Sequence, residues 1–176
     1  LLAGRVEFEA VAKLTAMKPE DQLARMQKGV KELQQAATLA PRDPAILWTL
    51  FERGRYVDDE EVKAAARQAL KDAYTLDPRN LFILTEWLRA QADAHDPEII
   101  ATLKSAKETL APIREGVQKR ARVDVIELVD QAIAAAEKPD WPATLGFVLR
   151  INVIRSEDMA PSDRRRLDRH PLEYVV

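Results

Sequence analysis

The chain has 176 residues, 47% hydrophobic and 32% charged, which is enough apolar material for a buried core and excludes global disorder. Its net charge of −2 argues against a dedicated nucleic-acid binder, and the absence of cysteine excludes disulfides, thiolate metal sites and cysteine nucleophiles. Alanine occurs 27 times and glycine only 5, a balance that favours helices over a turn-rich β-sandwich.

Taken in chain order, the elements are all helical. Residues 5–16, with Val6, Ala10, Val11 and Leu14, read as an N-terminal capping helix. Leu23, Met26, Val30, Leu33 and Ala37 follow at steps of three and four, one apolar stripe on one helix face. Asp43-Pro44 starts a shorter helix, with Asp as the cap and Pro in the first turn, running to Arg53 and stopping near Gly54. The acidic run Asp58-Asp59-Glu60-Glu61 opens the next helix at the positive end of its dipole; its stripe is Val62, Ala66, Ala69, Ala73 and Leu76. Asn80 caps a helix carrying Leu81, Leu84 and Leu88. Asp96-Pro97 repeats the Asp-Pro start before Ile99, Leu103, Ala106 and Leu110. From Ile113 to Ala135 the apolar spacing is helical without proline, so one long helix or two nearly continuous ones are expected. Lys138-Pro139-Asp140-Trp141-Pro142 is a break, followed by a helix from Pro142 to about Ile154 and a short polar one over residues 162–169. No uncharged run exceeds nine residues, well short of the roughly 20 needed to span a bilayer, so no membrane insertion is expected. The chain starts at Leu1 without a methionine and stops abruptly at Val176, which reads as part of a longer or processed protein.

A short string recurs along this pattern: Thr38-Leu39-Ala40-Pro41, Thr75-Leu76-Asp77-Pro78 and Thr109-Leu110-Ala111-Pro112, with the prolines 37 and then 34 residues apart. Each string ends an amphipathic stretch, so the unit is helix, turn, helix, proline-marked turn. From Leu23 to Pro112 this resembles the tetratricopeptide repeat. Leu47, Leu50 and Gly54, then Leu84 and Trp87-Leu88, fall at the positions of large and aromatic residues in its first helix. Ala66 and Ala73 match its small-residue positions in the second helix. Phe51 and Leu88 stand where the family places a small residue, which is a departure. The resemblance implies an all-α fold: a right-handed stack of antiparallel helix pairs, an α-solenoid with a capping N-terminal helix and an irregular C-terminal helical segment. A repeat domain over residues 1–137 and a C-terminal extension over 138–176 follow from where the repeat fades. The tail, with Phe147-Val148-Leu149-Arg150-Ile151-Asn152-Val153 and Arg164-Arg165-Arg166-Leu167, is similar to the helical segment of bacterial FG-GAP and UnbV-type propeller proteins. That resemblance implies an exported or periplasmic protein; without it the cytoplasm is the expectation.

Chemistry is harder to find. The chain has no glycine-rich phosphate loop, no metalloprotease helix motif, no calcium loop and no nucleophile elbow. His95 and His170 are a poor stock for a metal site, and no cofactor is expected. His95 reads as a polar turn residue, and Ser156 or Ser162 with Asp168 and His170 have no triad-like spacing. Arg164, Arg165, Arg166 and Arg169 are interrupted by Asp163 and Asp168 and lack stacking aromatics, which fits a solvated helix face. Glu52, Asp58, Glu60 and Glu86 are the carboxylates an enzyme would have to use, but with no histidine, thiol or phosphate loop beside them they specify no reaction. The repeat register instead implies a concave groove, with Trp48, Glu52 and Arg55 from one helix and Phe82, Thr85 and Arg89 from the next, suited to a protein or peptide partner. The lysine and asparagine clamp of chaperone-binding repeats is not matched there. The expectation is a non-catalytic interaction module, with a structural spacer of a larger exported protein as the alternative.

Overall fold

The computed structural model describes residues 19–152, and every regular element among them is helical. The expected helices at residues 5–16 and 162–169, the arginine cluster at 164–166 and His170 lie outside the described residues. The described residues form two compact units, 19–77 and 78–152.

The first unit holds α1 (Pro19–Leu39), α2 (Pro44–Gly54) and α3 (Glu60–Leu76). The starts of α2 and α3 are set by side-chain caps that take up backbone N–H groups the first helical turn leaves unsatisfied. Asp43 Oδ1 accepts from the amides of Ala45 at 2.9 Å and Ile46 at 3.3 Å, with Pro44 in the first turn. Asp59 does the same for Glu61 at 3.0 Å and Val62 at 3.2 Å. α2 packs against both α1 and α3. Its residues from Ala45 to Phe51 are all buried, together with Val30 and Leu33 of α1 and Val62, Ala66, Leu70 and Ala73 of α3. The α1 stripe weakens at its first turn, where Leu23 is 40% exposed. α2 and α3 cross tightly: a Cβ built on Gly54 would lie 2.8 Å from the Ala66 Cβ, so only a glycine meeting an alanine allows this approach.

The second unit holds α4 (Leu81–Asp93), α5 (Ile99–Leu110), a 3₁₀ turn (Ala111–Ile113), α6 (Arg114–Ala121), α7 (Val125–Ala136) and α8 (Trp141–Asn152). Asn80 caps α4 through the amides of Phe82 and Ile83. α4 ends with the His95 N–H bonding Ala92 O and the Asp96 N–H bonding Gln91 O, and His95 itself is left-handed at φ 54°. Asp96-Pro97 does not enter α5 directly. Asp96 Oδ1 accepts from the Glu98 amide at 2.9 Å, and a tight turn delivers the chain to Ile99.

The long apolar run after Ile113 is two helices. Arg122 adopts φ 55°, ψ 31° at the end of α6, and Asp124 caps α7 through Ile126 and Glu127. The unit closes on itself: α4 packs on α8, α8 on α7, α7 on α5 and α5 on α4. The boundary expected between residues 137 and 138 therefore falls between α7 and α8, two helices packed together, whereas the compact units divide between Asp77 and Pro78.

Candidate functional site

On α2 the stripe expected to line a groove is closed at its Trp48 end. Ala45 is fully buried and Trp48 is 6% exposed, its ring tilted against Phe51 with centroids 5.5 Å apart. The stripe opens only at half-buried Glu52 and Arg55. Arg55 is held in place: its guanidinium lies 5.1 Å from the Phe51 ring centroid and 4.7 Å from that of Tyr56, and Nη2 donates to the Tyr56 hydroxyl at 2.7 Å.

In the second unit Thr85 is buried and its hydroxyl donates to Leu81 O at 2.7 Å, so it is committed to its own helix. Phe82, Glu86 and Arg89 form the half-buried outer stripe of α4, with Arg89 Nη2 donating to Glu86 Oε2 at 2.6 Å. Of the six residues expected in the groove, Glu52, Arg55, Phe82 and Arg89 thus keep accessible surface, while Trp48 and Thr85 are buried.

The first unit carries a cleft that the repeat register did not point to. It has a volume of about 250 Å³ and is walled by α1 and α3 over a floor of Leu47 and Leu50 from α2. Ala37, Ala65 and Ala69 leave the room, and Gln34, Thr38, Gln68 and Asp72 form a polar rim on which Gln68 Nε2 donates to Asp72 Oδ1 at 2.8 Å. The signal in the sequence is the pairing of alanines on two helices with large residues on the helix between them.

Two further ion pairs sit at helix ends. Lys63 Nζ donates to Asp58 at 2.9 Å and Glu60 at 3.0 Å. The Lys63 hydrogen bond, and then its charge, hold the Asp58 carboxyl below the ordinary carboxylate range, and the same bonds push Lys63 up. Arg114 grips Asp124 with a two-nitrogen fork at 2.6 and 3.1 Å, which lowers Asp124 and raises Arg114. A carboxylate held down by a cation is poorly suited to act as a proton donor. His95 stacks on Trp141, centroids 5.3 Å apart and planes within 14°, which ties the turn after α4 to the start of α8. Among the described residues no three histidines or carboxylates gather as metal ligands, and no helix is long and apolar enough to cross a membrane. Comparison of the chain with protein-family models, with curated proteins and with solved structures gives no match.

Proposed function

We propose that the chain is a non-catalytic helical-repeat module that binds a protein or peptide segment and so helps assemble a larger complex. The observation that carries this is the apolar cleft over Leu47 and Leu50, whose amide and hydroxyl rim suits a peptide backbone with an aliphatic anchor. The half-buried stripe of Phe82, Glu86 and Arg89 on α4 is a second contact surface with an aromatic and an ion pair. The repeat reading is supported by α1, α3 and α5 each ending at the leucine of a Thr-Leu-x-Pro string. The mechanism is preorganisation: rigid helices present the surface, so little ordering cost is left for binding.

A spacer or accessory domain of an exported protein of FG-GAP and UnbV type is the second reading. It is favoured by Leu39 at 87% and Tyr56 at 67% exposure, two large side chains that a covering segment of a larger protein would shield.

Selection of a displayed peptide library on the whole chain separates the two. Peptides with aliphatic anchors should emerge. Ala65→Glu, which fills the cleft, or Arg89→Glu, which reverses the α4 stripe, should weaken them by about tenfold or more with helix content unchanged. Equal binding to both variants would remove these surfaces from the site, and an empty selection would favour the spacer.

A further inference from the structure

We draw no further inference here: the strongest candidate outside the surfaces already described, the recess of about 190 Å³ at the start of α7 in the second unit, sets Arg122 and Arg150 against Asp124 and Glu127, with Asp124 already engaged by Arg114, and nothing in the structure shows what ligand would fill it.

Discussion

The Gly54–Ala66 crossing is the most specific packing constraint in the first unit. A methyl group added at Gly54 meets the Ala66 Cβ at 2.8 Å, and the Val62 side chain and carbonyl at 3.5 Å. The Ala66 methyl cannot rotate out of the way, so Gly54→Ala must separate α2 from α3 by several tenths of an ångström. Overpacking of this kind costs about 1–3 kcal/mol. Alanine gains at most about 1 kcal/mol of helix propensity over glycine, and less here because Gly54 is the last residue of α2. The net expectation is a loss of roughly 1–2 kcal/mol, a fall in melting temperature of about 2–8 °C for a chain of this size.

Ala66→Gly alone should cost about 1 kcal/mol, because it places glycine inside α3. In the double variant the clash is gone, so the new methyl at 54 occupies the space vacated at 66. The two changes should therefore couple favourably by about 1–2 kcal/mol in urea unfolding followed by circular dichroism. A Gly54→Ala chain as stable as the parent, or a coupling within about 0.3 kcal/mol of zero, would refute the tight crossing.

Arg122 holds a left-handed backbone at the end of α6, so Arg122→Gly should raise stability by about 0.5–1 kcal/mol and Arg122→Val should lower it, both read by denaturant unfolding. The Arg114 hydrogen bond, with the Glu127 and Ile126 amides, sets the Asp124 carboxyl below its ordinary 3.8. Its contribution is therefore complete above 3.8 and lost as pH falls through the lower folded value. Asp124→Asn should flatten the acid limb of a melting-temperature profile in that window while leaving α7 capped. Trp48→Ala should cost about 3–5 kcal/mol, as truncation of a buried aromatic does. Arg89→Glu, at a half-exposed ion pair, should cost no more than about 1 kcal/mol. Thermal unfolding that ranked the two the other way would mean Trp48 lies on the surface.

What could be read from the sequence is the local part of the fold. Asp43, Asp59 and Asn80 act on amides two and three residues away, so their meaning is contained in a few neighbouring letters. The split between α6 and α7 had a signal of the same kind in Asp124, but no glycine or proline marked the break, because Arg122 takes the left-handed turn itself. The groove depended on more than local information. Trp48 was placed on an open face by repeat register, yet α2 is buried along seven consecutive residues from Ala45 to Phe51, which no single amphipathic stripe describes. Such a run signals a central helix packed on several sides, and α2 does pack against both α1 and α3.

The same distinction separates the two units. A repeat of stacked helix pairs leaves an apolar face open at each end and needs an atypical element to cover it. In the second unit α8 packs against both α4 and α7. It does so with a narrow stripe, Thr144, Val148 and Ile151, at steps of four and three, and Leu149 stays 46% exposed on the other side. Thr144 tolerates full burial because its hydroxyl donates to Asp140 O at 2.8 Å. A helix buried along one stripe while its other side faces solvent covers the core beneath it with a single packed face. The helices beyond Pro112 thus close the second unit on itself, with α7 packed on α5 and α8 on both α4 and α7.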